Sequence, residues 1–460
     1  MTYHDALAYL ESFVNYERLK SPEALSSLHL ERMRRLCEQL GDPQRAFRSI
    51  VVAGTNGKGS ISAMLYSMLR ESRLRVGLYT SPHLEDVRER LRTWSGGPSE
   101  ERRHGEDWIT QAAFCDLLER VRPLLERWRE ISAEEPPTYF EILTAMAFEH
   151  FRRQRVEIAV LEVGLGGRLD ATNVVEQAVS VIAPIDLDHV EILGRDAATI
   201  AGEKAGIIKP RQRVIAAPQH DDVWTVLQQA CAQQGAPLWR CDADLTTRIR
   251  RHDLDGLQLS ITGLRGLYDD LEMPLVGRHQ ATNAALAVAA LEALSDAGAP
   301  RALVEQGLAR VECPGRIEVI QEKPLVILDG AHNPQAARAL ADTLQELCAG
   351  RRIHLLIGTS ADKSVEGLGE ALGPLVVGAT CSQSRHPRAL DAEALASRLL
   401  PYCPDVHVIR DPVDAYTYLL NAIGPADVLV VTGSFYFVGP LRAAVRSTNG
   451  GRARRAAAQM

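Results

Sequence analysis

The sequence predicts an α/β protein of two domains, a larger one built on a mainly parallel sheet followed by a smaller α/β one. Three observations carry this. A chain of 460 residues exceeds what one ordinary core holds. Short, continuously apolar runs such as "VEIAVLEV" and "VLVVTGS" alternate with stretches of helical spacing, the pattern of strands buried on both faces of a parallel sheet. The alternation restarts after the turn "VECPGR" (311–316), which sets expected domains at 1–310 and 311–446, with a basic, low-complexity tail at 447–460 expected to lack order.

Taken in order, Leu7, Leu10 and Phe13, then Leu25, Leu28, Met33 and Leu36, recur at helical spacing, so two helices are expected before the first strand. "RSIVVAG" is a short β-rich run, followed by a glycine loop and a helix from about Ser60 to Glu71. "RVGLYTSPH" is a second strand ending in small polar residues, and 93–107, "TWSGGPSEERRHGED", reads as a mobile surface insertion. Helical material runs to about residue 153. "VEIAVLEVGLGG", "AVSVIAPIDLDH" and "QRVIAAP" then continue the strands, and 279–297 is an alanine-rich helix. In the second domain "PLVILDGAHNP", "RIHLLIGTS", "PLVVGATCS", "DVHVIRD" and "VLVVTGSFYFVG" read as five strands with helices between them.

Composition narrows the function classes. A formal charge of −7 argues against a general nucleic-acid binder, which needs a concentrated basic surface. Eight scattered cysteines form no CxxC pair and read as small core residues in a reducing compartment. The amphipathic, acid-bearing start "MTYHDALAYLESF" fits neither a signal nor a transit peptide, and no apolar run is long enough to span a bilayer, so a cytoplasmic protein is expected. Six lysines (20, 58, 204, 209, 323 and 363) stand beside 46 arginines. Where arginine serves for generic positive charge, the lysines that persist are enriched in places needing a compact or deprotonatable amine, which points to Lys58 and Lys204.

The stretch "GTNGKGS" (54–60) follows the first strand and opens a helix. Phosphate oxygens need several converging backbone N–H groups with no side chain in the way, and a helix N-terminus adds partial positive charge. Lys58 would neutralise outer phosphates, and the Ser60 hydroxyl stands near them or their metal. The spacing departs from GxxxxGK[ST], and the residues alone leave a structural glycine turn open as well. Further strand ends carry Ser81 ("YTSPHL"), Glu162 ("LEVGLGG") and His189 ("IDLDHV"), which an open parallel sheet would bring to one crevice. Oxygen ligands with an imidazole suit magnesium, and an unpaired carboxylate ending an apolar strand is costly without a use. Turn and core roles remain open for Ser81 and His189. Lys204, in "TIAGEKAGIIKP", would take up carbon dioxide as an anionic carbamate if buried, or pair with Glu203 if solvated. In the second domain, Asp329 and His332 of "LDGAHNP" sit on a strand-to-helix loop with Pro334 opening the helix, and Arg316 lies at the junction.

In series, "VAGTNGKGS", "SPHL", "TYFE", "LEVGLGGRLDATN", "IAGEKAGIIK", "PGR" and "DGAHNP", spanning 52–334, resemble the folylpolyglutamate synthase and dihydrofolate synthase family of the Mur ligase superfamily. The resemblance implies a P-loop-type ATPase domain of central Mur-ligase kind, binding ATP and a pterin, followed by a Rossmann-like glutamate ligase domain. It implies an ATP-dependent ligase that phosphorylates a carboxylate to an acyl phosphate, which an amine then attacks. Thr55, Asn56, Gly57, Lys58, Gly59 and Ser60 would be the phosphate loop, with Asn283, Arg316 and Asp329 also on ATP and His332 a catalytic group beside them. Ser81, Glu162 and His189 would ligate Mg²⁺, and Lys204 would be the carbamylated lysine. Thr138, Tyr139, Phe140, Glu141, Leu169, Asp170 and Ala171 resemble the pterin-side segments, with Phe140 as a stacking surface. L-glutamate, ATP and dihydropteroate or a reduced folate are the implied partners, and a monomer is expected. Asp196 stands where the family usually has threonine, and the 93–107 insertion is expected near the pterin side. Two rival readings fit less well. A nucleotide-sugar Mur ligase needs an N-terminal domain that about 50 residues cannot form. A non-ligating P-loop NTPase has no use for "DGAHNP".

Overall fold

The computed structural model describes residues 1–19, 29–96, 105–131 and 136–457. Strands β1 (Arg48–Ala53), β2 (Val76–Tyr79), β3 (Leu91–Trp94), β4 (Ile158–Glu162), β5 (Gln177–Ile182), β6 (Arg213–Ala216) and β7 (Leu238–Arg240) form a seven-stranded sheet in the order β3-β2-β4-β1-β5-β6-β7. All neighbours are parallel except β2 and β3. β4 is buried along its whole length, as its unbroken apolar run requires. Helices Tyr3–Glu11, Leu30–Gln39, Gln111–Ile131, Tyr139–Arg153, Ala197–Ala205 and Asp221–Gln234 cover one face, and helices Lys58–Arg70 and His279–Glu292 the other. Both helices expected before β1 are present, although Leu25 and Leu28 lie outside the described residues.

Chain order reverses at β1: β2 and β4 lie to one side, β5 to β7 to the other. Such a switch point opens a crevice at the C-terminal strand ends, where the loops after β1, β2, β4 and β5 meet.

The sequence reading missed a three-stranded antiparallel sheet of β8 (Thr246–Asp253), β9 (Gly256–Thr262) and β10 (Leu267–Met273), whose apolar side packs beneath helix His279–Glu292. In the second unit β11 (Glu318–Glu322), β12 (Leu325–Leu328), β13 (Ile353–Ile357), β14 (Gly378–Cys381), β15 (Val406–Val408) and β16 (Val428–Thr432) form a sheet in the order β11-β12-β16-β13-β14-β15. The five expected strands are there and parallel, and β11 is an additional antiparallel edge strand.

Two expectations are corrected. The 93–107 insertion does not leave its strand on the flank expected to take a pterin. β3 runs antiparallel to β2, with Tyr79 opposite Leu91 and Val76 opposite Trp94, so the chain leaves it at the end of the sheet away from the crevice. Its return is tied there by an Arg70–Asp107 ion pair of 3.1 Å, with Arg70 lying 4.3 Å over the Trp94 ring; residues 97–104 lie outside the described residues. The last helix, Phe435–Ala457, continues into the basic tail expected to lack order, although Gly450-Gly451 is a poor helix-forming pair; residues 458–460 lie outside the described residues. Among the described residues no helix is long and apolar enough to cross a membrane.

Candidate active site

The glycine loop leaves β1 under tight steric control. A Cβ on Gly54 would stand 2.6 Å from the Ala183 methyl group, and one on Gly57, whose φ is +87°, would stand 2.7 Å from Asn283 Oδ1. Thr55 and Asn56 N–H groups donate to the Pro184 carbonyl at 2.9 and 3.3 Å, fixing the loop against the end of β5. Lys58 donates to the loop's own carbonyls, Gly54 O and Thr55 O, both at 3.0 Å. Burial lowers its pKa, and the charges of Glu162 and Asp188 only partly restore it. Ser60 and Asn283 lie behind the cavity wall, with Ser60 Oγ 3.8 Å from Cys313 Sγ.

Glu162, 4 % exposed at the end of β4, accepts the Ser81 N–H at 3.2 Å. Among the described residues no cation is within ion-pair distance of it, and burial raises its pKa against the pull of Lys58 and Arg316. A Cβ on Gly59 would be 3.7 Å from both Glu162 Oε1 and Arg316 Nη2, so loop, carboxylate and guanidinium converge. His189 sits in a left-handed conformation (φ +49°) on the same cavity, its pKa pushed to about 3 by burial and then by Lys363, which leaves a neutral imidazole at physiological pH. Among the described residues no three His, Cys, Asp or Glu side chains gather closely enough to cage a metal. A cation held by one carboxylate, one hydroxyl and one imidazole, with water and phosphate completing its shell, still fits the hard-oxygen habit of Mg²⁺. The uncompensated buried charge of Glu162 is the feature that calls for it.

Lys204 ends helix Ala197–Ala205, which Asp196 caps by accepting the Thr199 N–H at 2.8 Å. It is not the solvated partner of Glu203. Only 4 % exposed, it donates to Gly54 O at 2.8 Å, and burial, followed by the Lys58 charge, brings its pKa down to about 7.

The second unit supplies the opposite wall. Arg316 stacks 4.3 Å over the Phe435 ring, in a sharp turn between Gly315 (φ +71°) and Ile317 (φ +46°). A β-branched residue at positive φ is strained. The Asp329 carboxylate holds it by accepting the Ile317 N–H at 2.8 Å, while its other oxygen accepts Ala331 N–H at 2.8 Å. Asp329 thus shapes the Arg316 turn from behind and is not among the residues lining the cavity. His332 Nδ1 faces the Gly330 carbonyl at 2.8 Å, so that nitrogen carries the hydrogen, and Nε2 points to Asp188 Oδ2 at 3.6 Å. Asp188 was not singled out from sequence, yet it ties the walls together. It also accepts from Lys363 Nζ at 2.6 Å and Asn333 Nδ2 at 3.1 Å, while Asn333 and Asn56 exchange amide hydrogen bonds of 3.1 Å.

On the flank expected to take a pterin, Thr138 caps helix Tyr139–Arg153 in a capping box with Glu141, and Arg32 Nε grips the Glu141 carboxylate at 2.8 and 3.1 Å. The Phe140 ring lies on Gly164, where a Cβ would be 2.5 Å from Cζ. Asp170 accepts the N–H groups of Gly164 (3.0 Å), Leu165 and Thr172 (both 2.9 Å) and the Thr172 hydroxyl (2.6 Å), so it fixes this turn as well as facing the cavity. Tyr139 departs from expectation. Neighbours on a helix point about 100° apart, and with Phe140 facing the cavity Tyr139 turns into the apolar layer behind.

The shared cavity measures about 480 Å³ and is lined from both units: Lys58, Glu162, Lys204 and Phe140 on one side, Arg316 and His332 on the other. Glu17, Asp188, Lys363, Arg388 and Tyr436 also line it and were missed. The one sequence signal was Lys363, another lysine kept in an arginine-rich chain.

The model of the Mur ligase middle domain matches residues 123–291, and that of the Mur ligase glutamate ligase domain matches residues 315–435. The chain is 37 % identical to the dihydrofolate synthase/folylpolyglutamate synthase of Mycobacterium tuberculosis, covering 92 % of this chain and 91 % of that one. The Escherichia coli protein of the same name is 32 % identical, with 94 % of each chain covered. Among solved structures, the M. tuberculosis folylpolyglutamate synthase complexed with ADP and AMPPCP superposes with a TM-score of 0.85 at 34 % identity, covering 96 % of this chain and 98 % of that one. E. coli FolC in complex with DHPP and ADP superposes with a TM-score of 0.83 at 29 % identity, covering 98 % and 99 %.

Proposed function

The chain belongs to the dihydrofolate synthase/folylpolyglutamate synthase family of Mur ligases, and from that premise we propose that it is an ATP-dependent ligase joining L-glutamate to dihydropteroate and to tetrahydrofolate. The observation that carries the reading is one cavity faced by a glycine loop and a deprotonatable lysine from the first sheet and by an arginine and a histidine from the second. Residues 1–310 bind ATP and the pterin, and 311–446 carry glutamate ligation. A single chain supplies both walls, which suits a monomer. Eight unpaired cysteines suit the reducing, ATP-supplied cytoplasm.

Chemically, a carboxylate is a poor electrophile until a phosphoryl group makes one of its oxygens a leaving group. The Thr55–Ser60 loop cradles the triphosphate, Lys58 moves from its carbonyl partners to the outer phosphates, and Arg316 reaches the same anions from the second unit. Asn283 and Asp329 support this from behind, by packing on Gly57 and by holding the Arg316 turn. Ser81, Glu162 and His189 would hold Mg²⁺, which supplies charge neutralisation at the transferring phosphoryl. Lys204, with its pKa near 7, is neutral often enough to add carbon dioxide, giving an anion beside the same site. Thr138, Phe140, Leu169, Asp170 and Ala171 seat the pterin, and Glu141 and Tyr139 brace their helix. His332, which lines the cavity with its Nε2 turned toward Asp188, is placed to meet the incoming amine.

The test is ADP release with dihydropteroate and with tetrahydrofolate, each with L-glutamate. Release with both is expected. Turnover with one alone rejects dual specificity, and release with neither rejects the ligase reading.

A further inference from the structure

A polar cluster that the reaction scheme leaves unused joins the two units over the pterin flank. Glu17 lies in the turn after helix Tyr3–Glu11 and lines the cavity. Its carboxylate is gripped from within the first unit by Arg90, which is 0 % exposed, with Nη1 and Nη2 each 2.7 Å from one oxygen. Arg90 is held in turn by His83 Nδ1, at 3.0 Å from its Nε, in the turn that carries Ser81. From the second unit the Tyr436 hydroxyl donates to Glu17 Oε2 at 3.1 Å, and Arg388 Nη1 donates to the Glu17 carbonyl at 3.3 Å. Those donors come from the first turn of the last helix and from a separate loop, braced together by the Tyr436 ring stacked on His386 at 4.0 Å and 12°. Arg90 also lies 5.8 Å from the Tyr139 ring, which places the cluster beside the helix that presents Phe140.

A fully buried guanidinium is costly unless its partner is fixed, and its bidentate grip in turn fixes the carboxylate. Glu17 is therefore a preset acceptor that the second unit meets only when the two walls are together. Of the other cross-wall ties, Asn56–Asn333 and Asp188–Lys363 lie on the phosphate side, and Arg442–Glu85 anchors the last helix further along, so none of these three replaces the Glu17 contact.

We propose that Glu17 is a positioning residue for ligation: it latches the start of the last helix, at Tyr436, and the Arg388 loop over the pterin flank and so keeps water from the activated acid. The inference rests on the acyl-phosphate reading above. When the latch is loose, water replaces the amine. Its oxygen bonds to the acyl carbon, the carbon–oxygen bond to phosphate breaks, and a proton passes to solvent, so that ADP and phosphate are released and the original acid is regenerated without an amide.

The experiment counts ADP released per glutamate incorporated in the full chain for wild type, Glu17→Gln, Tyr436→Phe and the double variant. In wild type the two are expected to match. Each single variant is expected to raise the ratio about tenfold or more, the order of one lost charge-assisted hydrogen bond, with KM for ATP within about twofold. The double variant should not exceed the worse single, because both changes cut the same contact. Tyr436→Phe removes one hydroxyl and serves if Glu17→Gln fails to fold. Variants that lose turnover yet keep the wild-type ratio, or whose effects multiply, overturn the proposal. A wild type that releases no glutamate-dependent ADP refutes the ligase reading itself, a separate result.

Discussion

Gly164→Ala tests the pterin flank without touching a polar group. The φ of Gly164 lies outside the left-handed region, so its backbone accepts alanine and only the contact matters. The new methyl group would stand 2.5, 2.9 and 3.1 Å from Phe140 Cζ, Cε2 and Cε1. Ordinary carbon contacts lie near 3.5–4.0 Å, so the ring must retreat by about 1 Å. It cannot do so within its layer, because Tyr79 stands behind it with ring centroids 6.0 Å apart and is itself fully buried. The ring therefore shifts into the space where a flat substrate would stack. Aromatic stacking is worth about 1–3 kcal/mol, which corresponds to a rise of about 5- to 150-fold in KM for dihydropteroate. KM for ATP should stay within about twofold, since the phosphate loop contacts neither residue. Initial-rate ADP release, varying one substrate at a time, measures both. Equal changes in both KM values, or none, would refute the stacking role of Phe140.

Two further outcomes follow from charge. Lys204→Arg keeps a cation but removes an amine that can deprotonate, so turnover should fall by about 100-fold or more, and the carbamate carbon signal obtained with labelled bicarbonate should vanish; wild-type turnover would exclude that chemistry. For Glu17, burial alone would raise the pKa, but Arg90 outweighs it and holds the carboxyl at about 2, below the ordinary 4.5. The stabilisation is thus complete above about pH 4.5 and is lost as pH falls toward 2. Over that window wild type should lose up to about 3 kcal/mol more unfolding free energy than Glu17→Gln, as read by denaturant titration; parallel acid limbs would contradict the pairing.

Some of the fold was legible and still unread. Asp255-Gly256 between alternating apolar residues is a hairpin signal, and it marks the turn after β8, where Asp253 pairs with Gly256, the first residue of β9. The antiparallel β11 was passed over because Glu318, Gln321 and Glu322 interrupt its apolar residues, as suits a partly exposed edge strand and not a strand buried on both faces.

Chain-local physics is what the sequence determined alone. Apolar periodicity set the parallel strands, glycines after a strand set the loop at 54–60, and Asp196 and Pro334 marked helix starts, because backbone sterics and side-chain alternation act within a few residues. Tertiary structure decided which polar groups meet. Tyr436 is 419 positions from Glu17, and Asp188 is 175 from Lys363, yet each pair is in contact. It also decided that Lys204 is buried instead of solvated, that Phe140 and not Tyr139 faces the cavity, and that the 93–107 insertion leaves from the far end of the sheet. Coulomb and desolvation energies depend on distance through space and on the neighbouring dielectric, and neither is written in the spacing of residues along a chain.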